Sequence, residues 1–247
     1  MFSGGMLKMA VVVLAELENL DFRLALQTVS VLESVEQLTE AEHGETTFVL
    51  AATDANLQAL KNESHQVFIP STMITGDSQN LNMNIYFDLE NYPFYQKAKE
   101  LISLEDNIKG VFRFRRTVTL ADDKSLFVGD LYVLAGLLGE PEEVYVKMTD
   151  RSVTPAYIIL MLNFGGGKMA HIEYTIHPQP RIELEWSGIK NIIEFDSDEI
   201  KPAQPGSKTT LPLAYSVDSI LATGHQVNKH IIERLTHFKK LIGGTGK

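Results

Sequence analysis

Residues 156–176 read AYIILMLNFGGGKMAHIEYTI. Two β-rich runs, Ala156 to Phe164 and Lys168 to Ile176, flank Gly165-Gly166-Gly167. A short glycine connection between such runs makes a hairpin, so the two strands pair antiparallel. The first strand is apolar on both sides, with Ile158, Leu160 and Leu162 on one and Ile159, Met161 and Asn163 on the other. A strand of that kind needs cover on both faces. The second strand puts Met169, His171, Glu173 and Thr175 opposite Ala170, Ile172, Tyr174 and Ile176.

Outward from this hairpin, further strands follow in close order: Glu143 to Met148, Arg181 to Trp186 and Asn191 to Phe195. Upstream, Val111 to Leu120 alternates Val111, Arg113, Arg115 and Thr117 with Phe112, Phe114, Arg116 and Val118. Two helices lie before the hairpin. One runs from Pro93 through Tyr95, Ala98, Leu101 and Ile102, and the other from Ser125 to the stop signal Gly139-Glu140-Pro141. The carboxyl-terminal half is therefore an α+β part with a mostly antiparallel sheet. A polar linker, Lys201 to Lys208, leads to a final helix over Val217 to Leu241.

The amino-terminal half has another pattern. Ala10 to Leu17 is an apolar strand, and Asp21 caps a helix bearing Phe22, Ala25, Leu26, Val29 and Leu32 at helical spacing. Thr46 to Ala52 is a strand, Asp54 caps a short helix, and Gln66 to Ile69 is a strand stopped by Pro70. Asn84 to Asp88 is one more. Alternating strands and helices predict a parallel sheet with crossover helices. The fold class is α/β plus α+β, with domains at 1–89 and 90–247.

The 247 residues carry a formal net charge of -10 and no cysteine. An acidic surface repels phosphate backbones and anionic membranes, so neither nucleic acid nor membrane is an expected partner. Without cysteine there is no disulfide, thiolate metal site or cysteine nucleophile. The apolar run Ala10 to Ala15 is too short for a signal core or a membrane span, and a cytoplasmic location is expected.

Several stretches together carry a resemblance. Tyr92 to Ile102 (YPFYQKAKELI) with Ile108-Lys109-Gly110, Leu131 to Pro141 (LYVLAGLLGEP), Ile158 to Glu173, and Arg181 to Phe195 (RIELEWSGIKNIIEF) follow one another over residues 92–200. In order and spacing they resemble the second domain of the glucose–fructose oxidoreductase and inositol dehydrogenase (Gfo/Idh/MocA) family. More faintly, Phe48 to Thr72 resembles the part of the first domain that leads to the family's lysine motif. The resemblance implies a shortened, Rossmann-like first layer. It is followed by an open, mostly antiparallel sheet with helices on one face, through which family members commonly associate. A homo-oligomer joined through this sheet is expected.

The same resemblance implies what this chain lacks. The turn after the first strand runs Ala15 to Asp21 without glycine and with Glu16, Glu18 and Asp21. A dinucleotide fold needs glycines there so that the backbone can approach the pyrophosphate. At the lysine motif stands Ile69-Pro70-Ser71-Thr72, and Lys61 sits on a predicted helix. Aligned on Gly139-Glu140-Pro141, the family's catalytic aspartate, histidine and third position fall on Ser125, Gly129 and Tyr132. Asp122, Asp123 and Asp130 read as capping or solvated. His171 and Glu173 share a strand face with Thr175, near Glu183 and Glu185, and form a weak candidate ligand site for a metal or sugar. His225, His230 and His237 read as solvent-facing on the last helix, and Arg113, Arg115 and Arg116 as partners of carboxylates.

The expectation is an oxidoreductase-like pseudoenzyme without cofactor or metal. It would act as a binding or assembly subunit, with room for a small-molecule ligand. The alternative is an NAD- or NADP-dependent dehydrogenase of a sugar or polyol with an atypical cofactor turn.

Overall fold

The structure, a computed structural model, describes residues 11–14, 19–21, 29–32, 35–37, 48–51, 53–60, 66–74, 83–119, 124–149, 155–199 and 213–243. The chain divides into two compact units. One is Met1–Asn91 with Ala214–Ile232, and the other is Tyr92–Leu213 with Glu233–Lys247. The chain re-enters the first unit at residue 214 and leaves it again at 232.

The first unit is built on a parallel sheet. Its strands are β1 (Val11–Leu14), β2 (Val29–Leu32), β3 (Phe48–Ala51), β4 (Gln66–Pro70) and β5 (Met83–Tyr86). The two-residue β12 (His225–Gln226) adds antiparallel to β5, and the order is β12-β5-β4-β3-β1-β2. The order reverses between β1 and β3, the topological switch point of a doubly wound sheet. Helix α1 (Asp54–Ala59) is capped by Thr53, whose hydroxyl accepts from the Asn56 N–H at 3.2 Å. Phe68, Ile69, Ile85 and Tyr86 are buried, as expected for central parallel strands covered on both faces.

Three expectations are corrected here. Val29 and Leu32 do not continue a helix from Asp21: they lie in β2, in register with Val11 and Leu14 of β1. A short run such as Val29-Ser30-Val31-Leu32 satisfies both periods, and pairing with β1 decides it. Phe22 to Thr28 lie outside the described residues. Strand β5 stops at Tyr86, and Asp88 opens α2 (Asp88–Asn91). The single final helix is broken into α5 (Val217–Thr223), β12 and α6 (Lys229–Gly243). The chain turns extended at Gly224, where a Cβ would lie 2.5 Å from the Phe68 ring. Asn228 then restarts the helix by accepting from the Ile231 N–H at 3.0 Å.

The second unit holds a six-stranded mixed sheet. Its strands are β6 (Gly110–Val118), β7 (Glu143–Met148), β8 (Tyr157–Asn163), β9 (Lys168–Ile176), β10 (Arg181–Gly188) and β11 (Ile192–Asp196). The order is β11-β10-β6-β9-β8-β7, and only β6–β9 is parallel. Gly165, Gly166 and Gly167 all adopt positive φ in the β8–β9 hairpin, a conformation other residues resist.

One face of this sheet is mostly apolar, with Phe112, Phe114, Leu160, Ile172, Leu184 and Trp186 buried. Helices α3 (Pro93–Ser103) and α4 (Lys124–Leu138) cover it. Phe94 stacks on Phe195 at 3.8 Å between ring centroids, and Phe127 lies 4.1 Å from Tyr174. Residues 127–135 of α4 are all buried. Among the described residues the other face is left partly exposed, at Tyr145, Met161 and Met169. No helix among the described residues is long and apolar enough to cross a membrane.

Candidate functional site

A doubly wound sheet binds its ligand outside the carboxyl ends of its strands. Ala15 to Glu18, the first part of the glycine-free turn, lie outside the described residues. Asn19 to Asp21 do not. Leu20 forms a parallel bridge with Tyr215, the Asp21 N–H donates to the Tyr215 carbonyl at 2.9 Å, and the Tyr215 N–H donates to the Asn19 carbonyl at 2.9 Å. Leu20, Asp21, Ala214 and Tyr215 are buried.

The Tyr215 hydroxyl donates to Asp88 Oδ1 at 2.8 Å, just past the end of β5, and its ring meets that of Tyr86 edge-on at 6.4 Å. Burial, aided by the Asp88 charge, pushes the Tyr86 phenol well above its usual range. A dinucleotide needs free backbone N–H groups and open space after β1. Residues 19–21 offer a bonded N–H and a buried carboxylate, and they do not fit that group. At the end of β4, Ser71–Met73 makes a 3-10 turn, and Lys61 lies outside the described residues.

The second place is α4. Ser125 is half-buried, Gly129 is buried and has no side chain, and the Tyr132 ring lies 4.6 Å below the Arg234 guanidinium. Asp122 and Asp123 lie outside the described residues. The reading of Asp130 as capping or solvated is corrected, since it is 2% exposed. Arg116 Nη1 donates to its two oxygens at 3.0 and 3.2 Å, and the Tyr174 hydroxyl donates to Oδ2 at 3.1 Å. Burial, with the Asp130 charge behind it, pushes the Tyr174 phenol far above its usual range. Arg116 is 7% exposed and lies on the apolar face of β6. A cation at that point of the alternation was the available signal that a buried carboxylate must answer it.

The third place is the open face of the second sheet. Pairing register lays three rows of side chains across it. The middle row runs Tyr145, Met161, His171, Arg113, Glu185 and Glu194. His171 therefore sits between Met161 and Arg113. Glu173, one row away, faces Arg115 at 3.7 Å. The arginines of β6 stand between His171 and Glu173 on one side and Glu183 and Glu185 on the other. Arg113 bonds Glu185 at 2.5 Å, and Arg115 bonds Glu183 at 2.9 Å.

Arg181 adds Glu183, Asp196 and Asp198 at 2.9, 2.6 and 3.2 Å, and its hydrogen bond holds the Asp196 carboxyl below its usual range. Arg113, Arg115, Glu183, Glu185, Glu194 and Asp196 border a depression of about 360 Å³. No trio of His, Asp or Glu able to hold a metal occurs among the described residues. The three arginines of β6 all pair with carboxylates.

His225 departs from its expected place. It lies on β12 rather than on the last helix, with Nε2 2.7 Å from Glu90 Oε2. His230 and His237 are exposed on α6.

No protein-family model matches the chain, and no curated protein matches it. Solved structures do. A dehydrogenase from Chromobacterium violaceum is 9% identical at a TM-score of 0.55, covering 88% of this chain and 80% of that one. A UDP-N-acetylglucosamine 3-dehydrogenase from Acidithiobacillus ferrooxidans is 12% identical at 0.52, covering 96% of each. The apo scyllo-inositol dehydrogenase from Lactobacillus casei is 13% identical at 0.51, covering 96% and 88%. At such identities the likeness concerns the fold, which is the parallel-sheet layer plus open-sheet domain of Gfo/Idh/MocA-type oxidoreductases.

Proposed function

We propose that this protein transfers no hydride and acts as a cytoplasmic binding or assembly subunit on an oxidoreductase fold. The observation that carries this reading is α4. Proton abstraction from an alcohol needs a group that titrates near neutrality within reach of the substrate. The resemblance puts that group at Gly129, which has no side chain, with Ser125 at its supporting position. The neighbouring carboxylate, Asp130, is turned inward and held by Arg116 and Tyr174.

Assembly through the second sheet rests on its open face. Tyr145, Met161 and Met169 are 63%, 50% and 45% exposed there, beside the charged network of Arg113, Arg115 and Arg181. A face that is partly apolar, towards β7 and β8, and partly charged, on β6 and β10, has the mixed composition of a subunit contact.

The test is titration calorimetry with NAD and NADP, backed by thermal unfolding. A ligand at 100 times its Kd would add about 2.7 kcal/mol of stability. We expect no heat and no shift at millimolar nucleotide. Micromolar affinity, or reduction of NAD in the presence of polyols, would instead support the dehydrogenase reading that the fold neighbours favour.

A further inference from the structure

The carboxyl end of the parallel sheet is held by the chain itself. We infer that Ala214 to Ser216 is a built-in occupant of this position, a strap standing where an external dinucleotide would lie. The inference rests on the reading above for which ligand is displaced, and it adds what fills the space.

The strap is held at its main chain, its ring and its hydroxyl. Its main chain is held on both sides of Leu20 by the Asp21 N–H and the Asn19 carbonyl. Its aromatic ring lies beside Tyr86, and its hydroxyl reaches Asp88. Tyr215 thus reaches from the segment that follows β1 to the residues that follow β5, across the ends where such sheets place their ligands. It is 3% exposed.

The strap is also fixed downstream. The Ser216 hydroxyl caps α5 by accepting from the Ser219 N–H at 3.1 Å. Farther along α5, the Ser219 hydroxyl donates to the Asn91 carbonyl at 3.3 Å, and the Thr223 hydroxyl to Asn91 Oδ1 at 3.0 Å. The side-chain amide of Asn91 is in turn tied to the Phe87 carbonyl at 2.9 Å.

Native-state hydrogen exchange on the full chain tests this. The Asp21 and Tyr215 amides should exchange at least about 100-fold more slowly than unstructured ones. Millimolar NAD should leave them unchanged. Tyr215→Gly should speed exchange at Asp21 by about tenfold or more, while amides of β6 and β10 keep their protection and show that the second unit is folded.

Unprotected Asp21 and Tyr215 amides in the wild type overturn the strap even if no NAD binds, and they leave the functional reading standing. An Asp21 amide indifferent to Tyr215→Gly also overturns it. NAD that binds and deprotects both amides supports the strap as the displaced occupant while refuting the functional reading. NAD that binds without touching them refutes both.

Discussion

Replacing Asp130 by alanine tests the core of the second unit and the reason its carboxylate is unavailable for chemistry. Asp130 accepts three hydrogen bonds, two from Arg116 and one from Tyr174, and all three residues are buried. Removing the carboxylate leaves a guanidinium in a nonpolar core without its counter-charge, which costs about 3–5 kcal/mol. For a chain of this size that is a fall of roughly 10 °C in the unfolding temperature of the unit.

Asp130→Asn keeps an acceptor for Tyr174 but loses the charge, and should cost less, about 2 kcal/mol. Combining it with Arg116→Met removes the orphaned charge, so the double variant should regain at least half of that loss. The assay is urea unfolding followed by fluorescence. The chain has one tryptophan, and Trp186 is fully buried in this unit, so the signal reports the transition of interest. Two results would refute the reasoning. One is Asp130→Ala within about 1 kcal/mol of wild type, the range of a surface pair. The other is a double variant that loses the plain sum of its single losses, since contacting residues couple.

Two further expectations concern the open face of the second sheet and the buried phenols. In the proposed assembly, Met161→Glu puts a charge in the exposed apolar part of the open face and should dissociate the oligomer while the monomer stays folded. A monomeric wild-type mass by light scattering at micromolar protein would remove the basis for that assembly. The buried phenols set an alkaline limit. Tyr174 and Tyr86 are both held above their usual range by burial, so the stability they contribute is complete below about pH 10 and lost as pH rises beyond it. Phenolate absorbance should therefore show these two ionising together with unfolding. Their titration in a folded protein near pH 10 would contradict the burial described.

Periodicity in the sequence was enough to establish the two kinds of sheet. The Gly165-Gly166-Gly167 hairpin, the alternation along β6 and the apolar runs at β3 and β4 are local patterns, and strands express them wherever they pair. The absent side chain of Gly129 and the absence of glycine from Ala15 to Asp21 were legible for the same reason, since composition is the same in any fold. Tertiary structure decided the rest. Val29 to Leu32 became a strand because β1 was there to pair with it. The last helix is interrupted where β12 pairs with β5 and Gly224 packs closely on the Phe68 ring. Asp130 proved buried because its partners, Arg116 and Tyr174, lie 14 and 44 residues away in sequence. Tyr215 bridges to Leu20 and Asp88. Such pairings depend on where distant segments are brought together, and no local spacing encodes that.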